Sequence, residues 1–330
     1  MNKPSKEDVV IQAKGLQVTF DKHQGLIKDL FSNSQTKVTA VDGIDLTIRN
    51  GEIVSLVGES GSGKTTFGKA LLHLVIPSAG EITFEDQIIT QKEMRKFRQR
   101  AQMIFQDPYQ SLNPKHMIID IVAEPLLVHG LLSSEEEKLK KVTEALESAG
   151  LKPGEQYLYR YPHELSGGQR QRVVIAAALV LHPHFIVADE PVSMLDVSVR
   201  ADILNLMVKL RDEKDISYLF ITHDLSLAWL ISDRIAIMYL GKIMEIGPAE
   251  LIAGECLHPY TKALVSVMPA PKKRTDRKRM VLTGETPDPS RIPAGCRFHP
   301  RCPMAVDRCR TEAPVLREVN PDHLVSCHLV

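Results

Sequence analysis

The period of the hydrophobic positions changes several times along the chain, and each change marks an element. Residues 9–20 alternate apolar and polar side chains, the period of a half-buried strand. Residues 41–48 and 53–57 are short β-rich runs separated by the turn Arg49-Asn50-Gly51. Between 21 and 39 the chain is polar, contains glycine and has no period, which predicts a surface loop. From Lys64 to Val75 the spacing becomes helical, with Phe67, Leu71, Leu74 and Val75 on one face and Pro77 ending the run. Residues 81–90 read as a hairpin.

Ser133-Ser134-Glu135-Glu136-Glu137 has the form of a capped helix start: a serine oxygen for the orphan N–H groups and carboxylates at the positive end of the dipole. Leu139, Val142, Leu146 and Ala149 form the apolar stripe of that helix, and Gly150 closes it. The stretch 107–160 is therefore a helical insertion in an otherwise α/β chain. Strands return at 185–188, 218–222 and 235–239, the last turning through Leu240-Gly241-Lys242 into 243–246. Beyond Pro248 the composition shifts. Pro269-Ala270-Pro271-Lys272-Lys273-Arg274 reads as a linker before a cysteine-rich tail, and no internal repeat is present.

The 330 residues suffice for one large domain or two smaller ones. Aromatic residues make up only 5% against many aliphatic ones, as in proteins built on buried parallel strands. Lysine plus arginine equals aspartate plus glutamate at 41 each, so no global charge points to nucleic acid. The basic run from Lys272 to Arg279 has no interleaved aromatics and reads as a solvated linker. Residues 1–8 lack the apolar core of a signal, and the richest apolar run, 173–180, is too short to span a bilayer. These features predict a soluble, cytoplasmic chain whose membrane role comes through partners.

The chemistry concentrates in three places. Gly58-Glu59-Ser60-Gly61-Ser62-Gly63-Lys64-Thr65-Thr66 is a phosphate loop. Its glycines let successive backbone N–H groups aim at phosphates, Lys64 neutralises the β- and γ-phosphates, and the Thr65 hydroxyl ligates Mg²⁺. A strand before it and a helix after it are the context the mechanism requires. Asp189 and Glu190 end an apolar run, which places a carboxylate to hold Mg²⁺ through water and a second to polarise the attacking water. Leu165-Ser166-Gly167-Gly168-Gln169 opens a helix and forms a second anion site. One chain with two phosphate cradles predicts that the second serves the ATP of another subunit; a plain capped helix would need no particular Gly-Gly-Gln.

In this order, these motifs resemble the ATP-binding subunits of ABC transporters over nearly the whole chain. The resemblance implies a P-loop α/β core with an antiparallel β subdomain and an α-helical insertion. It implies that Gln106, in Ile104-Phe105-Gln106-Asp107-Pro108, contacts Mg²⁺ and the transmembrane partner. Ser193-Met194-Leu195-Asp196 matches the D-loop, with methionine where alanine is usual, and puts Asp196 at the dimer interface. His223 matches the switch histidine of the γ-phosphate. Phe20, ending the first strand, is the expected adenine platform, with Phe31 as its rival.

A narrower resemblance, to the ATPases of oligopeptide and dipeptide importers, rests on Asp107-Pro108-Tyr109-Gln110-Ser111-Leu112-Asn113-Pro114, His258-Pro259-Tyr260-Thr261 and residues 295–303. Leu282-Thr283-Gly284-Glu285 is most like the second of the two ATPases of such importers. The implied organisation is an ATPase domain over 1–250, its helical subdomain at 107–180, and a C-terminal extension over 251–330. The implied partners are a second, different ATPase subunit, two transmembrane permeases and an extracytoplasmic solute-binding protein, with no nucleic acid and with the chain on the cytoplasmic face of the membrane. Nickel or another small solute is an alternative cargo, and a soluble ATPase acting on nucleic acid or ribosomes, or a P-loop kinase, an alternative class.

The tail cysteines Cys296, Cys302, Cys309 and Cys327 are spaced C-x5-C-x6-C-x17-C. In a reducing compartment this spacing points to a metal site, either tetrahedral Zn²⁺ or a [4Fe–4S] cluster. The absence of a close C-x2-4-C pair and the importer resemblance favour the cluster. Cys256 stands apart as an ordinary residue.

Overall fold

The computed structural model of the protein describes residues 8–22, 36–268, 280 and 282–330. The chain opens with β1 (Val9–Lys22), β2 (Thr36–Arg49), β3 (Ile53–Val57) and α1 (Lys64–Leu71). Then come β4 (Ala79–Phe84), β5 (Gln87–Ile88), α2 (Met94–Arg100) and β6 (Ala101–Ile104). A helical stretch follows: α3 (Pro108–Ser111), α4 (Ile118–His129), α5 (Glu135–Ser148) and α6 (Gly167–Leu179). Strands and helices then alternate through β7 (Phe185–Asp189), α7 (Val197–Lys214), β8 (Ser217–Thr222), α8 (Leu225–Ile231), β9 (Arg234–Tyr239) and β10 (Lys242–Pro248). The tail holds α9 (Ala249–Gly254), α10 (Pro259–Ser266), α11 (Asp307–Thr311), β11 (Arg317–Asn320) and β12 (His323–Val325).

These elements form two compact units, each built from discontinuous segments. The first takes the chain up to Ile11, Thr47–Glu52 and Thr83–Phe220. Here β6 and β7 run parallel, from Ala101 opposite Phe185 to Ile104 opposite Ala188. All five residues of β7 are buried, as a strand covered on both faces requires. Helices α4, α5 and α6 pack on one another, burying Val122, Leu146 and Val173. The α5 start forms as the sequence predicts: the Ser134 hydroxyl accepts from the Glu137 N–H at 3.2 Å, and the Ser133 N–H donates to the Glu137 carboxylate at 2.8 Å. The predicted hairpin is β4 with β5, antiparallel with Thr83 opposite Ile88.

The second unit takes Gln12–Leu46, Ile53–Ile82 and Ile221–Val330. Its strands lie in the order β11-β12-β10-β9-β3. β3 is parallel to β9, and β10 is antiparallel to β9 through the predicted turn. The tail completes this sheet: β12 pairs with β10, Glu245 facing Val325 and Ile246 facing Leu324. Below lies an aromatic knot of Tyr239, Tyr260 and Phe298, with ring centroids 4.9 to 5.4 Å apart. The fully buried Glu245 carboxylate ties two tail segments together. It accepts from the Leu257 N–H at 2.6 Å, the His258 N–H at 3.1 Å and His323 Nε2 at 2.8 Å.

Three expectations change. The helix after the phosphate loop ends at Leu71, because His73 takes the left-handed conformation (φ 51°) and the Leu74 N–H closes back on the Lys69 carbonyl at 2.9 Å. Leu74 is consequently 48% exposed and leaves the apolar face assigned to it. Strand β2 begins at Thr36, taking over the end of the segment read as a loop; residues 23–35 lie outside those described. Elements α2 and β6, which the polar run 92–100 conceals, bridge the hairpin and the helical stretch.

Burial pushes the His258 imidazole down to about 4. Its Nδ1 also caps α10 by accepting from the Tyr260 N–H at 3.1 Å, a role only the unprotonated ring atom can fill. Between about pH 6.5 and 4 the unfolded chain therefore binds the extra proton, and up to about 3 kcal/mol of stability is lost as pH falls through that window. Urea midpoints at pH 7 and 4.5 measure this. His258→Asn, which keeps a capping oxygen but cannot charge, should shrink the difference between the two midpoints.

Candidate nucleotide site

In the second unit the phosphate loop connects the buried β3 to α1. It is held open by close backbone approach. A Cβ at Gly58 would strike the Met238 carbonyl oxygen, and one at Gly63, whose φ is 103°, would strike that of Ala40. The loop closes on itself with the Ser62 N–H donating to the Glu59 carbonyl at 3.2 Å. Lys64 is buried, and its Nζ donates to the carbonyls of Gly58 and Glu59, both at 2.8 Å. Its ammonium thus sits inside the loop's curve, where an anion on the N–H face would meet it. Ser60 and Gly61 are exposed, while Thr65 and Thr66 stand half-buried in the first turn of α1. His223 is exposed, immediately after β8, and Asp224 behind it caps α8 by accepting from the Ser226 N–H at 2.8 Å. Phe20, in β1, is 43% exposed. Phe31 lies outside the described residues.

In the first unit β7 carries the carboxylate pair. Asp189 is buried at its end. Glu190 follows with φ 45°, a left-handed backbone rare in a residue with a side chain, and strain of this kind accumulates at functional sites. The Ser193 N–H and hydroxyl both donate to the Glu190 carbonyl, at 3.1 and 3.0 Å, and hold that turn. The structure brings Gln106 to this point: its Nε2 donates to Glu190 Oε2 at 3.0 Å. Met194, Asp196 and Val197 are exposed beyond the turn. Sequence reasoning did not find Arg200, whose Nε donates to the Leu195 carbonyl at 2.7 Å and braces this segment from the first turn of α7.

The helix start at Ser166 is partly explained within the chain itself. The Ser166 hydroxyl accepts from the Gln169 N–H at 3.3 Å, and Gln169 Oε1 accepts from the Ser166 N–H at 3.0 Å, a reciprocal capping box. Gly168 is fixed by packing, since a Cβ there would lie 2.6 Å from Val199 Cγ1. The sequence argument that a capped helix needs no Gly-Gly-Gln is thus corrected for the second glycine and the glutamine. Gly167 is different: the nearest atoms to a Cβ are 3.6 Å away, so packing within the chain leaves room there. Arg170, also missed, donates from Nε to the carbonyls of Pro162 at 2.7 Å and Leu165 at 3.1 Å, and its guanidinium lies 4.4 Å from the Tyr109 ring centre.

The four tail cysteines lie in the second unit. Cys296, Cys309 and Cys327 are buried and Cys302 half-buried. The Cys296 N–H donates to the Cys309 carbonyl at 2.8 Å. Burial pushes the Cys296 thiol up to about 11, with the other three thiols adding to the shift. Cys256 is buried in the same apolar cluster as Cys296 and Cys309. Among the described residues no group of three or more His, Cys, Asp or Glu side chains is gathered so as to hold a metal ion.

A phosphate loop on a buried parallel strand, with a carboxylate pair ending another and a capped glycine-rich helix start, defines an ATP-binding cassette. Residues 41–193 match the family model described as ABC transporter, and residues 244–309 that described as oligopeptide/dipeptide transporter, C-terminal region. The oligopeptide transport ATP-binding protein AppF of Bacillus subtilis (strain 168) is 43% identical, over 98% of this chain and 98% of its own. YkfD of the same strain is 48% identical, over 88% of this chain and 90% of its own. Among solved structures, the ATP-binding cassette MJ0796 in a post-hydrolysis state with ADP and Pi superposes with a TM-score of 0.62. It is 29% identical, covering 72% of this chain and 98% of that one. The chain belongs to the ABC transporter ATP-binding proteins of the oligopeptide/dipeptide group, and it is an ATPase.

Gly168→Ala separates packing from ligand binding at the helix start. In the native chain it should lower stability, because the new methyl meets Val199. Combined with Val199→Ala the sign should reverse, yielding up to about 1 kcal/mol from helix propensity. Thermal unfolding of the four chains of this cycle decides; destabilisation that persists without the Val199 methyls would remove the packing explanation.

Proposed function

We propose that the protein is the ATPase subunit that energises import of oligopeptides or dipeptides through a membrane transporter. The observation that carries this reading is that the likeness to AppF runs through the whole chain, tail included, rather than through the cassette alone. Among the described residues no helix is long and apolar enough to cross a membrane, so work on a membrane partner would be done from the surface. The partners are two permease subunits, an extracytoplasmic solute-binding protein and a second ATPase subunit of different sequence, with this chain on the cytoplasmic face. The cassette would comprise residues 1–250, with its helical subdomain at 107–180, and the importer-specific extension 251–330.

In this reading backbone N–H groups of Gly58 to Thr66 bind the phosphates and Lys64 neutralises them. Thr65, Gln106 and Asp189 would supply hard oxygen donors that suit Mg²⁺, which when bound would offset the phosphate charge. Glu190 accepts a proton from the attacking water. Its hydrogen bond with Gln106 supports this assignment, because a side chain that contacts Mg²⁺ and the permease then touches the base directly. His223 contacts the γ-phosphate and Phe20 stacks on adenine. Ser166 and Gly167 meet the ATP of the partner ATPase, with Gly168 and Gln169 shaping the helix start behind them. Asp196 lies at that interface, and its exposure, with that of Met194 and Val197, supports its placement.

Glu190→Gln tests the mechanism. ATP binding should persist, turnover should fall by about two orders of magnitude or more, and the ATP-bound dimer should accumulate on a sizing column. Turnover close to that of the native chain would remove Glu190 from the role of base.

We further propose that Cys296, Cys302, Cys309 and Cys327 ligate a [4Fe–4S] cluster, zinc being the alternative. Burial, with the neighbouring thiols adding to it, pushes the Cys296, Cys302 and Cys327 thiols up, and with Cys309 they form a soft donor set suited to either metal. Ligation would demand that they close further than the described arrangement. Protein purified without oxygen should be brown and carry about four iron atoms per chain. Colourless protein with one zinc would assign the other metal.

A further inference from the structure

The cysteine-bearing tail reaches the phosphate loop through two arginines. Arg301 Nη1 donates to the Glu59 carboxylate at 2.8 Å, to Thr286 Oγ1 at 3.2 Å and to the Tyr239 hydroxyl at 3.4 Å. The Thr286 hydroxyl in turn donates to the same Glu59 oxygen. The Glu59 N–H donates to the Tyr260 hydroxyl at 3.2 Å, so the tail holds both the backbone N–H and one carboxylate oxygen of this loop residue. Arg297, four residues earlier and 8% exposed at its side chain, donates to the Leu240 carbonyl and to the Asp42 carboxylate. The next residue after Leu240 completes the link: the Gly241 N–H donates to the Ser62 carbonyl at 2.8 Å, inside the phosphate loop. Cys296 immediately precedes the first arginine and Cys302 immediately follows the second.

We propose that Arg301, aided by Arg297, is a positioning residue of the nucleotide site, through which the tail sets ATP affinity. The inference rests on Gly58–Thr66 being the loop that binds ATP. Two physical effects act together. The guanidinium holds the Glu59 backbone in the turn that Lys64 and the phosphate-facing N–H groups need. It also neutralises a carboxylate that would otherwise confront a polyanionic nucleotide across a few ångströms of partly excluded solvent. The arginine side chain is only 9% exposed, against 27% for Glu59, so water replaces little of this compensation if the guanidinium is removed. Because a thiol adjoins each arginine, whatever holds those thiols restrains the backbone from which the guanidinium groups extend.

The test is equilibrium binding of radiolabelled ATP with Mg²⁺ to the full chain. Arg301→Met should weaken binding by on the order of tenfold. Adding Glu59→Gln to the same chain should recover most of that loss, because the uncompensated charge is gone. Arg301→Lys should stay within about threefold of the native affinity. Thr286→Val, which leaves the arginine in place and removes one hydrogen bond to Glu59, should give a smaller loss in the same direction and serves if Arg301→Met does not fold. Native affinity in Arg301→Met, or a loss that Glu59→Gln does not recover, overturns the proposal. In Thr286→Val, unchanged affinity does the same. A native chain that bound no ATP would strike the assignment of the loop itself.

Discussion

The carbonyl oxygens of Met238 and Ala40 lie so close to Gly58 and Gly63 that neither position has room for a side chain. Much of the second unit follows from this approach. A loop that must turn several N–H groups toward one anion cannot satisfy them internally, so its shape has to be imposed from outside. Here it is imposed by the end of β9 on one side and the start of β2 on the other. Lys64 then fills the interior of the curve from below. Phosphate binding is in this sense a property of two strands distant in sequence as much as of the glycine-rich motif.

The same constraint gives the tail a role that its sequence alone conceals. The turn after β9 that supports Ser62 is itself gripped by Arg297, and the aromatic knot beneath it includes Phe298 from the tail. Glu245 brings the remaining tail segments to the same sheet, its buried charge neutralised by three donors rather than by solvent. Removing one donor would leave a buried carboxylate short of partners, a costlier change than losing an equal apolar contact. The residues after Pro248 are thus part of the second unit's framework and not an appendage to it.

The readable parts of the sequence were those set by local physics. The capping of α5 by Ser134, the buried run of β7 and the turn between β9 and β10 each depend on residues within a few positions of one another, and each forms where the pattern put it. The phosphate loop was legible because its neighbours, strand and helix, are its mechanism. The end of α1 was not: Pro77 can stop a helix, but here His73 stops it earlier by entering the left-handed region, which propensity does not foretell for histidine. Strands β11 and β12 are only four and three residues long, too short for a period to show, and β12 forms where β10 offers an edge, with β11 pairing to it in turn. Arg170, Arg200, Arg297 and Arg301 were invisible as site residues for a related reason. An arginine that braces a distant carbonyl or carboxylate is identified only by the fold that brings that group to it.

The Ser166 helix start shows how a motif can be over-read and still point correctly. Its conspicuous features have separate causes: serine and glutamine complete a capping box, and the second glycine yields to Val199. What local structure leaves unexplained is the first glycine, beside an exposed serine hydroxyl at the positive end of α6. A helix start whose first residue has no Cβ leaves room for a phosphate at the positive end of the dipole, as the proposed contact with a partner's ATP requires. The capping box strengthens that argument. By fixing Ser166 and the first turn from within the chain, it removes the entropy that a loose terminus would lose on meeting its ligand, and leaves the outward-facing N–H groups already aimed.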